Sequence, residues 1–421
     1  MRSILSLILL CTLSGYGQTM IQLNKGYENI PLTRGDTLDY TLHLEKDGVY
    51  QFSIYHNGIA VYYSLSEERQ IVFESNYPDD ITGYEKFEYR SQKSGEFKLK
   101  IYRFDDPENT ESGTINVFIK SLSDEEVAVR RRIRDELKAE NSKNVTTVDI
   151  DHFWVAFDKL KDCKHYADSV EVIQKEYLDK ATNGLIDFIQ VREFTAEKFV
   201  EIIAKNIDYY RSIRKNSYLA KEMEPVINEV FKRFSELYPL FKPFKVCFAI
   251  GIKNTGGTVS DRFVLIGTEV AVFQNNGEDI REKLKRLVAH ECGHTQQKPS
   301  RDPEAVKCPL LYQSIREGAC DFMAELITGN ENINEYGRKN ESKLWSEFKN
   351  ELCNQDIGNW LYNSYRVKDK PSDLGYYIGY EICKSYYDNC DDKRDAISEI
   401  IGMDDPVLFL VKSGYDKKVK N

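Results

Sequence analysis

Histidine is scarce in this chain, with six residues among 421. A close pair of histidines is therefore unlike its background. Long apolar runs are also missing. Beyond the first residues no stretch approaches the about 18 consecutive apolar residues of a membrane-crossing helix. Positive charge is not in excess, since 58 Lys and Arg stand against 68 Asp and Glu. That balance argues against a nucleic-acid partner, which wants a basic stripe. Repeats and low-complexity segments are absent. The nine cysteines show no spacing that reads as a disulfide framework or a metal knuckle. Cys383 and Cys390 share an expected helix and lie too far apart for a bridge.

Two of the six histidines fall together in His290-Glu291-Cys292-Gly293-His294. Positions i and i+4 share one face of a helix, so both imidazoles can address one metal ion. Zinc suits neutral imidazole, and a catalytic zinc keeps three protein ligands and one open position. Glu291, between the histidines, is placed to act as general base. The flanks support a helix. Asn276 and Gly277 end an irregular stretch, Asp279 can cap a helix starting there, and Ile280, Leu284, Leu287 and Val288 recur at helical spacing. The histidines then lie at the edge of a buried stripe.

A second helical segment supplies the missing ligand. Ile315, Ala319, Phe322 and Leu326 make one apolar stripe, and Glu317 and Asp321 lie on the other side at i and i+4. A solvated acidic face would look the same. However, Gly318, Ala319 and Cys320 are small enough for another helix to approach, and no third histidine lies downstream of the motif. Glu317 is the candidate third ligand, and Asp321 can accept the N–H of a liganding histidine and fix its tautomer. Cys292 and Cys320 read as packed thiols.

This pattern resembles the gluzincin group of zinc peptidases, to which thermolysin and aminopeptidase N belong. It is closer still to the predicted zinc-dependent proteases of bacterial envelopes. The likeness rests on Gly256-Gly257-Thr258, Ile266-Gly267-Thr268-Glu269, the Glu317-Gly318 to Leu326 stretch and Gly375-Tyr376-Tyr377-Ile378-Gly379-Tyr380. The resemblance implies one zinc per chain held by His290, His294 and Glu317, with Asp321 in support and a peptide or protein as substrate. It also implies an extended substrate pairing with a strand beside the site, for which Phe263, Val264, Leu265 and Ile266 are the candidates. A Tyr of the C-terminal part would steady the oxyanion. Tyr376 is the first choice and Tyr380 the second, because Gly375 and Gly379 let the backbone come close.

The rest of the chain sets the context. Met1-Arg2, the apolar Ile4–Leu13 and the small Gly15 and Gly17 form a signal peptide over residues 1–17. Such a segment implies export to the periplasm or beyond, and Leu10 before Cys11 argues against lipid anchoring. Residues 18–122 carry short alternating runs (Thr37–Leu44, Val49–Tyr55, Ile59–Leu65, Gln70–Glu74, Lys86–Tyr89, Phe97–Phe104, Thr114–Ile119), with tight hairpins expected at Asp47-Gly48 and Asn57-Gly58. They predict a β-sandwich or jelly roll, similar to bacterial pre-peptidase domains, in which His43 and His56 are structural. Residues 123–147 read as a charged helical linker. Residues 148–421 read as a mainly α-helical, α+β zincin-like metallopeptidase domain. The expectation is a multidomain, exported zinc metallopeptidase. The alternative is a non-catalytic, zinc-stabilised envelope protein whose β-domain is a binding module.

Overall fold

In residues 19–122 burial alternates along the strands Val49–Asn57, Val61–Glu67 and Gly95–Arg103, and two sheets close over one set of buried side chains. The computed structural model describes residues 19–419 apart from 34, 69, 76–80, 104–111, 274–278, 300–305, 332–333, 364–366 and 368–369. The signal-peptide segment and Asn276-Gly277 lie outside the described residues. The chain divides into two compact units, Met1–Arg134 and Asp135–Asn421.

The first unit holds β1 (Thr19–Met20), β2 (Gly26–Thr33), β3 (Thr37–Leu44), β4 (Val49–Asn57), β5 (Val61–Glu67), β6 (Gln70–Glu74), β7 (Thr82–Arg90), β8 (Gly95–Arg103) and β9 (Ser112–Leu122). One sheet runs β1-β3-β8-β5-β6, the other β2-β9-β4-β7. Leu42, Leu65, Phe97, Leu99 and Ile101 of the first sheet and Phe52, Ile54, Val117 and Ile119 of the second share one apolar core. This is the expected sandwich. The two expected hairpins are different objects. Asp47 does take a left-handed φ of 64°, and Gly58 one of 76°, so both turns form. Yet β3 and β4 lie in different sheets, as do β4 and β5. Each turn therefore carries the chain across the sandwich instead of pairing its flanking strands. His56 is buried, its Nδ1 2.7 Å from the Ile59 carbonyl, whereas His43 is exposed beside Glu45.

Helix α1 (Asp124–Ser142) buries none of its residues. The second unit continues with β10 (Val145–Thr146), α2 (Val148–Lys159), α3 (Tyr166–Glu176), α4 (Asn183–Arg192), α5 (Ala196–Lys205), α6 (Ile207–Ser217) and α7 (Glu224–Leu237). Next come β11 (Lys245–Ala249), β12 (Gly257–Val259), β13 (Phe263–Gly267), α8 (Thr268–Ala271), α9 (Ile280–Gln296) and α10 (Pro309–Thr328). Last are α11 (Glu335–Lys339), α12 (Glu341–Glu351), α13 (Leu374–Asn389), α14 (Lys393–Ile401), α15 (Pro406–Ser413) and α16 (Tyr415–Lys418). The sheet order is β10-β11-β13-β12, with only β12 antiparallel to its neighbour. Every residue of β13 is buried, as expected of a strand covered on both faces. Among the described residues no helix is long and apolar enough to cross a membrane.

Two contacts fix the helices that matter. Asp279 caps α9, its side chain accepting from the Arg281 N–H at 2.9 Å. Helices α10 and α13 touch backbone to backbone. A Cβ on Gly318 would lie 2.0 Å from the Gly379 carbonyl carbon, and one on Gly379 would lie 1.7 Å from the Ser314 oxygen. Gly379 thus serves the helix crossing. The structure also pairs Cys308 with Cys353, 45 residues apart, a disulfide that the spacing did not reveal. Cys383 and Cys390 are free thiols.

Glu269, the last residue of the Ile-Gly-x-Glu stretch, is fully buried. Its carboxylate accepts the backbone N–H of Gly251 at 2.7 Å and of Lys253 at 2.9 Å, which shapes the loop leading into β12. Burial pushes this carboxyl up from 4.5 to about 7. A group raised in this way contributes stability below its unfolded value and loses it as the pH climbs through the folded one. Between pH 4.5 and 8 the stability of the wild type relative to Glu269→Gln should therefore fall, by on the order of 3 kcal/mol. Urea unfolding of the metal-free proteins measures it, and a pH-independent difference would show that the carboxyl ionises as in the unfolded chain.

Candidate metal centre

Helix α9 buries Ile280, Leu284 and Val288 and leaves His290 and His294 at the edge of that face, with side chains 12% and 16% exposed. Helix α10 crosses it and is buried nearly all round, so its acidic pair is no solvated face. Glu317 is 5% exposed. The three side chains converge. His290 Nε2 is 3.1 Å from His294 Nε2, and Glu317 Oε2 is 3.1 Å from His294 Nε2 and 3.5 Å from His290 Nε2.

The outer atoms decide what the inner ones offer. His290 Nδ1 lies 3.0 Å from Asp321 Oδ1, and His294 Nδ1 lies 3.1 Å from Gln297 Oε1. The Gln297 amide donates in turn to the Arg316 carbonyl at 2.8 Å, which fixes its oxygen toward the imidazole. Each ring thus donates from Nδ1 and keeps the Nε2 lone pair facing inward. Three lone-pair donors at this spacing repel one another unless a positive charge sits among them. Two imidazole nitrogens and a carboxylate oxygen are a donor set that zinc accepts.

The same electrostatics appear in the proton affinities. Burial works against charge on His290, but hydrogen bonds to Asp321 and Glu317 outweigh it and hold the imidazole well above its ordinary value. His294 is raised likewise, against burial, by Cys320 and Glu317. Burial would raise Glu317, yet the two imidazoles hold it well below the usual carboxylate range. Glu291 differs. Burial lifts its carboxyl, and the charges of His290, His294 and Arg192 pull only part of the way back. A Cβ on Gly257 would fall 2.4 Å from Glu291 Oε1, so this glycine lets the β12 backbone lie directly against the carboxylate.

Several residues here carried no motif. Glu317 Oε1 receives the Gln313 amide at 3.1 Å and the Tyr362 hydroxyl, and Gln313 also donates to Tyr362 at 2.7 Å. With Oε1 held by these donors, Oε2 alone faces the histidines. Gln313 stands one turn before Glu317, so helical spacing had a signal for it. Tyr362 lies between helices with a left-handed φ of 53°, which is rare for an aromatic residue. Reciprocal bonds between Asn363 and Asp373, at 3.1 and 2.8 Å, hold its segment. Tyr376 stacks near-parallel on His290 at 6.2 Å and meets Tyr362 edge-on at 6.2 Å. Tyr380 points elsewhere, donating to Glu325 at 2.6 Å. Cys320, read as a packed thiol, forms with His290 and His294 a set whose ligand atoms lie within 4.8 Å of one another. Burial pushes its thiol up to about 11.

The expected substrate strand needs correction. Phe263, Val264, Leu265 and Ile266 form β13, which is paired with β11 on one side and β12 on the other. Both of its hydrogen-bonding edges are taken, so nothing can add there. Among the described residues the free edge beside Glu291 is that of β12.

Residues 254–404 match the model of a family described as "Predicted Zn-dependent protease (DUF2268)". The matched span takes in β12, β13 and the helices α9, α10 and α13 that build this centre, and it agrees with the resemblance read from the sequence. No curated protein matches the chain. Among solved structures, the chain is similar to the pre-peptidase C-terminal domain of a collagenase from Bacillus anthracis. The identity is 18% over 26% of this chain and 100% of that one, with a TM-score of 0.21. It is also similar to the M60 catalytic domain with its CBM51 domains from Clostridium perfringens, at 20% identity, 27% of this chain, 14% of that one and a TM-score of 0.18.

The saturated Oε1 of Glu317 gives a prediction. Tyr362→Phe should weaken zinc binding about tenfold, as loss of a group that orients a ligand does, and Glu317→Ala should weaken it much further. Chelator competition measures both, and unchanged affinity in Tyr362→Phe would mean that the phenol does not orient the carboxylate.

Proposed function

We propose that this chain is an exported zinc metallopeptidase whose metal is held by His290, His294 and Glu317. The observation that carries the reading is the convergence of three inward-facing donor atoms beside a buried carboxylate that does not join them. In this reading residues 1–17 are removed on export, 18–122 form the β-sandwich, 123–147 the charged linker and 148–421 the peptidase. Zinc bound there supplies a Lewis acid and brings a water's pKa toward neutrality.

The chain's own groups do the rest. Asp321 and Gln297 keep both imidazoles in the tautomer that presents Nε2. Glu291, kept out of the ligand set and raised by burial, takes the proton from the attacking water and passes it to the leaving amine. Tyr376 is proposed to donate to the oxygen that becomes negative, with Tyr362 beside it. The Tyr376 phenol is held far above its ordinary value, chiefly by burial and the Glu317 charge, and so stays a protonated donor at neutral pH. The free edge of β12 takes over the role expected of β13. An extended peptide adding there would bring a carbonyl next to Glu291.

Glu291→Gln should keep its zinc and lose peptide cleavage by at least about a hundredfold, the low end for general base catalysis. Retained turnover in that variant would remove Glu291 as the base. One observation favours the second reading, a zinc-stabilised protein without catalysis: Cys320 stands close enough to complete a four-ligand site. Cobalt(II) substitution separates the two. The peptidase reading expects no thiolate-to-cobalt absorption, and a band lost in Cys320→Ser would favour a closed, structural site.

A further inference from the structure

Arg192 ends α4 and reaches the loop that leads into β12. Its Nη2 donates to Thr255 Oγ1 at 3.2 Å, and that hydroxyl donates to the Gly257 carbonyl at 2.7 Å. Gly257 is the residue whose backbone lies against Glu291. The arginine Nε is buried and, among the described residues, has no hydrogen-bond partner. Arg262, Arg214 and Arg281 each hold a carboxylate, from Asp187, Asp158 and Glu222. Among the described residues Arg192 holds none. A guanidinium at a helix C-terminus is favourable for the helix dipole, but a dipole does not use its planar fork.

The direction of β12 says what would. A peptide added antiparallel to the free edge of Gly257–Val259 runs its C-terminal end toward Gly257 and on to Thr255. A bond cut beside Glu291 therefore leaves the following residues heading for Arg192. At about 3.3 Å per residue, one or two residues span that interval.

On the peptidase reading above, we propose that Arg192 recognises a substrate carboxylate one or two residues beyond the cleaved bond. With Nη2 taken by Thr255 and Nε out of reach of solvent, the carboxylate would meet the guanidinium through Nη1, in a charge-assisted hydrogen bond. The carboxylate can be the C-terminus of the substrate or the side chain of an Asp or Glu. In the first case the enzyme trims short pieces from C-termini.

The test digests a peptide library with the zinc-loaded full-length protein, with each peptide present as free acid and as C-terminal amide. Mass spectrometry locates the cuts. The expected result is cuts one or two residues before a free C-terminus. Cuts in amidated peptides one or two residues before Asp or Glu would assign the carboxylate to a side chain instead. Arg192→Ala should lower the preference for carboxylate over amide about tenfold to a hundredfold, the range for a charge-assisted hydrogen bond, mainly through KM. Arg192→Lys should restore part of it. The peptide cut fastest is then bound to Glu291→Gln by calorimetry, where its free acid should bind more tightly than its amide only while Arg192 is present. Cuts placed without regard to carboxylates, or a preference that survives Arg192→Ala, overturn the proposal while leaving the peptidase reading intact. A library left uncut by the wild type removes that reading, and the role of Arg192 with it.

Discussion

Three lone pairs pointed at one another are the constraint around which the second unit is built. His290, His294 and Glu317 place their donor atoms within 3.1 to 3.5 Å in a buried setting. With both imidazoles neutral and their Nδ1 atoms donating outward, such a cluster is costly, because the remaining nitrogen and oxygen acceptors cannot satisfy each other; a proton or a cation among them relieves it. It persists only if each donor is prevented from turning away. Asp321 and Gln297 prevent it for the imidazoles, and Gln313 and Tyr362 for the carboxylate. The tension at the centre is thus balanced by ordinary hydrogen bonds one step outward, and those are anchored to backbone and helix packing in turn.

The packing depends on small residues. Because Gly318 and Gly379 carry no side chain, α13 lies against α10 at backbone contact, and Tyr376 on α13 arrives beside His290. Gly257 likewise lets β12 rest on Glu291. Glu317 faces both imidazoles, whereas Glu291 lies against the β12 backbone at Gly257.

What could be read from the sequence was what is local. The spacing of His290 and His294, the cap at Asp279 and the turn of helix between Glu317 and Asp321 all lie within a few residues, and helical periodicity carries them. Strand alternation likewise announced the sandwich. Sheet order was not legible. The unbroken apolar run Phe263–Ile266 fits a strand covered on both faces, but it does not say which strands would pair with it or that the short Gly257–Val259 would be the edge, because pairing is decided by residues far along the chain. The turns at Asp47 and Gly58 were legible as turns, but which sheet each flanking strand joins was not. Tyr362 has no motif, and its left-handed backbone has no signature in an aromatic residue. Cys308 and Cys353 illustrate the same limit, since spacing never fixes connectivity.

That disulfide bears on how the ligand-bearing helix is held. It joins Cys308, at the N-terminal end of α10, to Cys353 just after α12. Closing a loop of 45 residues removes chain entropy from the unfolded state worth on the order of 4 kcal/mol. Helix α10, which carries Glu317, is therefore tied to its neighbours by a covalent bond that needs no metal. Once that bond is closed, α10 stays close to the segment after α12 even where the surrounding packing opens. Where thiols stay reduced, the same helix would be held by its apolar packing alone, and the stretch between the two cysteines would open more readily.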